Sequence, residues 1–241
     1  MFSQFGYRIP PAGGGATIAL ESLGGGSATG AVAGGQYNAT VVTVGTMDKW
    51  IICSTITRSV DAGIARISAF DYISSAATHN MALVNEIQLP SPSQGNAACV
   101  QHWAVRVNDG INFGTFRRYV DPSGSDSAYH YYNRMRVQGS ALDLTFHNEG
   151  QATVDTDVEI YSNSFNNNGT TEQTVFTFYR ANALGATTWV GHDVQHFNPT
   201  LGGVSYIGEA SVRTAQSSHV IGATWAALRP ACALTTRIKS N

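Results

Sequence analysis

Apolar and polar residues alternate with a period of two along most of this chain, the spacing of strands with one buried face and one wet face. The pattern is strictest at Leu142, Leu144 and Phe146, which are set against Asp143, Thr145 and His147. Tyr37 to Val44 and Trp50 to Val60 are rich in β-branched and aromatic residues, as strands are. Similar runs predict strands at Ile64 to Ile73, Met81 to Leu89, Ala98 to Val107, Met135 to Phe146 and Val154 to Tyr161. The series continues at Thr174 to Tyr179, Thr187 to Val190, Val204 to Ile207, Val220 to Trp225 and Leu234 to Ile238. Pro90, Pro92 and the turn signal Asn108-Asp109-Gly110 separate the earlier runs. Asp109 to Ala128, with Asp121-Pro122-Ser123-Gly124 inside it, reads as a loop.

No segment carries the period of a long amphipathic helix, and Ala181 to Leu184 and Trp225 to Leu228 are at most single turns. Eight or more strands joined by unequal loops, with no repeat of fixed period, predict an all-β fold. The expectation is a single eight-stranded jelly-roll β-sandwich over residues 36–241. Residues 13–35 hold nine glycines in twenty-three positions. Such a stretch has high backbone entropy and little to bury, so residues 1–35 are expected to be a flexible Gly-rich N-terminal arm, or to be ordered only by neighbours.

Composition narrows the function classes. Only 12% of residues are charged, against roughly 25% in average proteins, and 43% are hydrophobic. That balance excludes a charge-rich disordered chain and fits either a subunit whose surface is largely covered by neighbours or, equally well on composition, an ordinary low-charge β-sandwich of a secreted or structural protein. The formal net charge of -2 carries no nucleic-acid signature for the chain as a whole. Its cations are skewed, however: twelve are arginine, and five of these fall between Arg106 and Arg136. Arg117, Arg118, Arg134 and Arg136 are interleaved with Phe116, Tyr119, Tyr129, Tyr131 and Tyr132. Guanidinium groups hold phosphates while aromatic rings stack single-stranded bases, so Arg117, Arg118, Tyr132, Arg134 and Arg136 form the candidate contact surface. The competing reading of the same residues, and the stronger one, is an intersubunit patch, because arginine and tyrosine are enriched at protein interfaces.

Cys53, Cys99 and Cys232 show neither C-x-x-C spacing nor a disulfide framework and read as small buried thiols, which points to a reducing compartment during assembly. Met1 to Pro11 lacks the secretory pattern, and no apolar run is long enough to span a membrane. His192-x-x-x-His196 with Asp193 has helical metal spacing but lies beside Gly191 and Asn198-Pro199, so surface histidines are expected and no metal. Asp155, Asp157 and Glu159 share one strand face by alternation and read as solvated rather than calcium-binding. There is no G-x-S-x-G elbow, phosphate loop or H-E-x-x-H, so neither an enzyme nor a cofactor is expected.

The stretch Tyr129 to Asn148 resembles a segment of the jelly-roll capsid proteins of small circular single-stranded DNA viruses, written Y-x-x-Y-x-V-x-G-S-K-(I/V)-x-V-x-F-x-N. The matching positions are Tyr132, Val137, Gly139, Ser140, Leu142, Leu144, Phe146 and Asn148, about twenty residues in all. Ala141 stands where that family has a basic residue. The N-terminal arm, basic in that family, holds only Arg8 here. The resemblance implies a structural coat protein of the virion that self-assembles into an icosahedral shell. Its partners would be copies of itself and, weakly, single-stranded nucleic acid, with no membrane. A jelly-roll module binding a glycan or receptor on a viral or phage appendage is the alternative. Trp189, His192 and the loop Ser162 to Thr171 would then carry the recognition.

Overall fold

A computed structural model describes residues 18–30, 36–45, 49–59, 66–90, 97–120, 128–138, 144–182, 185–198, 200–201 and 205–240. The side chains of residues 26–30, 36–42, 128–138, 155–156 and 201 lie outside that description. The described chain is all-β, with several antiparallel sheets, one 3-10 turn at Gly169–Thr171 and no α-helix.

Strand pairing divides the chain into two sets. The first holds β1 (Ala19–Gly30), β2 (Gln36–Thr43), β3 (Lys49–Ser59), β4 (Ile67–Ser74), β5 (Thr78–Asn80), β6 (Ala82–Leu89), β7 (Ala98–Val107), β8 (Phe113–Val120) and β9 (Ala128–Gln138). These form one sheet in the order β1-β9-β3-β7-β6 and another in the order β2-β8-β4-β5. The second set holds β10 (Leu144–Tyr161), β11 (Phe165–Asn168), β12 (Glu172–Ala181), β13 (Thr187–Val190), β14 (Val194–Phe197), β15 (Thr200–Leu201), β16 (Ser205–Val212), β17 (Ala215–His219) and β18 (Gly222–Ser240). Its main sheet runs β10-β18-β12-β16-β14, with β13 on β18 and β15 on β16, and β11 pairs with β17.

The pairing is nested, and it is nested twice. In the first set β1 pairs β9, β2 pairs β8 and β3 pairs β7. In the second β10 pairs β18, β11 pairs β17 and β12 pairs β16. No repeat is visible in the sequence because antiparallel pairing is made by backbone groups, which every residue but proline carries alike.

Alternation assigns the layers. On β7, Trp103 and Val107 lie beside Ile51 and Cys53 of the adjacent β3 and meet Phe70 and Tyr72 of β4 and Phe116 of β8, the core of the first sandwich. Ala98, Val100 and Ala104 point the other way, toward the second set. There Ile56, Val100, Tyr179, Ile207 and Leu234 form one apolar cluster, while Leu20, Ile52, Val175 and Ile238 form another. Phe176, Phe178, Tyr206, Ala210 and Trp225 fill the core of the second sandwich. All ten residues of β12 and all eight of β16 are buried, because their sheet is covered on both faces. Full burial of such a side chain contributes about 1.5–3 kcal/mol, so this shared face is a major part of the molecule's stability.

Several expectations change. Eighteen strands are described where eight were expected. The loop expected over 109–128 contains β8: the motif Phe116-Arg117-Arg118-Tyr119-Val120 alternates inward and outward between two turn signals. Met135 to Phe146 supplies the end of β9 and the start of β10, which pair in different sheets; residues 139–143 between them lie outside the description. Gly222 to Trp225, the second part of the expected run Val220 to Trp225, and Leu234 to Ile238 belong to the single long strand β18, which begins at Gly222.

Part of the expected arm is also a strand. Ala19–Gly30 pairs with β9, with a bulge between Ser22 and Gly25 where Gly24 takes φ +96°. The ordering comes from neighbours, since Ile18 and Leu20 are buried among Ile52 and Ala104 of the first set and Leu144, Val175 and Ile238 of the second. Arg213 donates to the Leu20 carbonyl at 2.7 Å, and Ile18 N–H donates to the Thr170 carbonyl at 2.8 Å. Residues 1–17 lie outside the description.

Candidate functional site

The arginine and aromatic residues singled out in the sequence are divided between two sheets. On β8, Phe116, Arg118 and Val120 point inward, and Arg117 and Tyr119 point outward. Phe116 stacks on Phe70 with ring centroids 5.5 Å apart, which removes it from any base-stacking role. Arg118 is only 2% exposed. Arg117 donates from Nε and Nη2 to Asp71 Oδ2 at 3.1 and 2.8 Å and lies over the Tyr119 ring at 5.4 Å. The Asp71 carboxylate raises the pKa of that guanidinium further. Arg117 is therefore the outward cation of the pair, already held by a carboxylate.

Tyr132, Arg134 and Arg136 lie on β9, in the other sheet of the first set. Tyr132 sits opposite Gly26 on one side and Thr55 on the other; Arg134 is opposite Cys53; Arg136 is between Glu21 and Ile51. Their side chains lie outside the described residues. The backbone thus places the five residues on two separate sheets rather than one strand pair.

The other candidates resolve into local structure. Asp193 Oδ2 accepts from the backbone N–H groups of Arg213 and Thr214 at 2.6 and 2.8 Å, so it caps a turn. His196 Nε2 meets Ser211 Oγ at 2.9 Å, and burial pushes its pKa down to about 4. The strand face expected for Asp155, Asp157 and Glu159 is interrupted, because the register shifts between Asp157 and Glu159. No group of three or more potential metal ligands occurs among the described residues. Trp189 is half-buried and edge-on to Phe178 at 5.1 Å. It rests above Gly208, where an added Cβ would come within 2.8 Å of Phe178.

Two clusters escaped the sequence reading. Ser74, His79 and Asp109 come together around a turn, but the carboxylate stands in the middle. Ser74 Oγ donates to Asp109 Oδ2 at 2.5 Å and accepts from Ala76 and Ala77 N–H, while His79 Nε2 meets the same carboxylate oxygen at 2.8 Å. The imidazole activates no hydroxyl here, since both groups are spent on Asp109. Only the turn signal at Asn108-Asp109-Gly110 marks this place in the sequence.

The second cluster lies at the centre of the face shared by the two sets. His102 Nδ1 meets Thr236 Oγ1 at 2.7 Å, and its Nε2 meets Thr177 Oγ1 at 2.9 Å. Thr177 also donates to Glu209 Oε2 at 3.0 Å and lies 3.3 Å from Ser54 Oγ. Asn85 Nδ2 donates to Thr236 Oγ1 at 3.4 Å, and Gln151 Nε2 donates to Asn85 Oδ1 at 3.0 Å. Desolvation of the fully enclosed imidazole brings its pKa from 6.5 down to about 3. A signal was present: His102 interrupts the apolar face Ala98, Val100, Ala104, and Thr177 interrupts Val175, Tyr179, Ala181.

Comparison of the sequence with known protein families and with curated proteins finds no match.

Proposed function

We propose that this chain is a structural coat protein of a virion that assembles with copies of itself into a closed shell. The observation that carries the reading is the doubly nested strand order. Pairing first strand with last, second with next-to-last and third with third-from-last, across two facing sheets, is the winding of a jelly roll. Here it occurs in β1–β9 and again in β10–β18, so the proposed architecture is two jelly rolls in series rather than one. Jelly rolls suit shells because a stiff sandwich presents edges and end loops at fixed angles to symmetry-related copies. The low charge fits a surface that neighbours cover. The resemblance of Tyr129 to Asn148 to small single-stranded DNA virus capsid proteins points the same way.

Nucleic acid plays a minor part in this reading. The net charge is -2, Arg118 faces the interior and Arg117 is engaged by Asp71. Contact with packaged strands would fall to β9 and to segments around it. The alternative, a glycan- or receptor-binding module, asks for an aromatic ring open to a sugar face; the ring of Trp189 is packed against Phe178.

Negative-stain electron microscopy of the purified protein, with its absorbance ratio at 260 and 280 nm, tests the proposal. The expected result is closed particles about 20–30 nm across, a shell of identical subunits. Small discrete oligomers that stay small across salt and pH would overturn it, and glycan arrays would then test the alternative.

A further inference from the structure

The polar groups at the centre of the shared face form a line with one direction. In the first set Asn85, His102 and Ser54 are direct cross-strand neighbours on β6, β7 and β3. Facing them are Thr236 of β18, Thr177 of β12 and Glu209 of β16. Thr177 gives its one proton to Glu209 Oε2, so its oxygen can only accept from His102 Nε2–H, and the neutral ring then accepts at Nδ1 from the Thr236 hydroxyl. The neutral imidazole thus carries its proton on Nε2, and Thr236 Oγ1 accepts in addition from Asn85 Nδ2 at 3.4 Å. Each link crosses or flanks the gap between the halves, and apolar clusters close it at both ends.

We propose that this line of hydrogen bonds is an acid-sensitive latch between the two halves of the chain. A second proton on the ring would sit on Nδ1 and would have to be donated to Thr236 Oγ1. That oxygen has a second lone pair to accept it beside the bond from Asn85, but the hydroxyl's own proton would lose the acceptor that Nδ1 gave it. The link reverses, and the buried Thr236 hydroxyl gives up the bond it donates to the neutral ring. The groups packed against the ring offer little to a cation. β3 contributes Ser54, β6 Asn85, β12 Thr177 and β18 Thr236, none of them ionisable. Glu209 of β16 is the titratable group, one hydroxyl away, and β9 places Asn133 opposite Ser54 in register.

The pH dependence follows from the direction of the shift. Burial holds the folded-state pKa of His102 at about 3, below its ordinary 6.5. The stabilisation is therefore complete above the ordinary imidazole range and is lost as pH falls from there toward 3.

The chain carries its own reporters. Cys232 lies in the shared face and Cys53 in the core of the first sandwich, and both are fully buried. The full-length protein would be labelled with 4,4′-dithiodipyridine, which reacts with thiols in acid, at a series of pH values. Modified peptides would be mapped by mass spectrometry. The latch predicts that Cys232 becomes reactive at a pH where Cys53 is still protected. In His102→Gln, which cannot take the proton, the onset at Cys232 moves about one pH unit or more lower. Simultaneous labelling of both thiols, or an unchanged onset in a folded His102→Gln protein, would overturn the proposal. A reading that needs no variant is the imidazole ¹⁵N spectrum of the wild type. It should show the Nε2–H tautomer at neutral pH and protonation coincident with Cys232 exposure, and an Nδ1–H tautomer would refute the direction of the line.

Discussion

His102 on β7 and Thr177 on β12 belong to facing sheets, and the 2.9 Å contact between Nε2 and Oγ1 joins the two halves at the middle of their common face. The pairing is symmetric in topology. His102 has Ser54 as its cross-strand neighbour and Thr177 has Glu209, so each half places a polar pair on its third and seventh nested strands. On one side the pairs are flanked by Ile56 with Val100 and by Tyr179 with Ile207. Two like faces thus meet with apolar groups opposite apolar ones and hydrogen-bonding groups opposite each other. This is the arrangement that buries polar atoms without leaving them unpaired.

Thr177→Val tests that junction without changing its shape. The substitution takes an acceptor from His102 and a donor from Glu209, both buried. Leaving such groups unsatisfied costs about 2–4 kcal/mol in total. Urea denaturation of the variant beside the wild type measures it, and a loss below about 0.5 kcal/mol would show that the network does not hold the halves.

Adjacent arginines should behave differently. Arg118→Ala empties a position inside the first sandwich and should cost about 2–5 kcal/mol by denaturation, as large-to-small core changes do. Arg117→Ala removes an outward side chain and should shift the denaturation midpoint less. If an oligonucleotide is retained at all, Arg118→Ala should leave that retention unchanged wherever the variant folds. The opposite ranking would mean that β8 has been assigned the wrong inward face.

Gly208→Ala examines the packing of Trp189. An added Cβ would lie 2.8 Å from Phe178 Cε1 and 2.9 Å from Trp189 Cη2, both parts of rigid rings. Overpacking of this kind costs about 1–3 kcal/mol. The expected signs are a lower melting temperature and a changed near-ultraviolet tryptophan signal. A variant matching the wild type in both would place Trp189 away from β16.

The three thiols are free and buried, as the sequence spacing implied. Burial raises the pKa of Cys232 and, with Glu86 nearby, that of Cys99, so neither presents a thiolate near neutrality. Titration with a chromogenic disulfide at pH 8 should find no reactive thiol in the native protein and all three in denaturant. A rapidly reacting native cysteine would contradict the burial of β3, β7 or β18.

Asp109 gives a second acid response at lower pH. Burial alone would raise its pKa, but hydrogen bonds from Ser74, the Ile111 N–H and His79 bring it down from 3.8 to about 2. Its contribution is present above the ordinary carboxylate range and lost as pH falls through about 2. Ser74→Ala should move that loss to higher pH in a carboxyl NMR titration. No movement would remove Ser74 from the cause.

Much of the strand content was legible because alternation and β-branched composition are local. Ala98–Val107 and Thr187–Val190 coincide with strands to the residue. The segment β8 was not, because two turn signals bracket it and its paired arginines resemble a loop. Neither were the partners of Arg118 and His102 legible. An inward arginine on β8 and an outward one have the same chemistry on paper, and only the register against β2 and β4 separates them.

What the sequence determined alone is the material of this protein: β-strands, few charges, isolated thiols and, among the described residues, no α-helix, all consequences of residue type and period two. The tertiary structure decided how that material is wound. Nested pairing is made by backbone groups common to every residue, so the doubled order of β1–β9 and β10–β18 leaves no repeat in the sequence. It is the meeting of those two halves that makes the lone polar residues His102 and Thr177 partners, 75 positions apart along the chain.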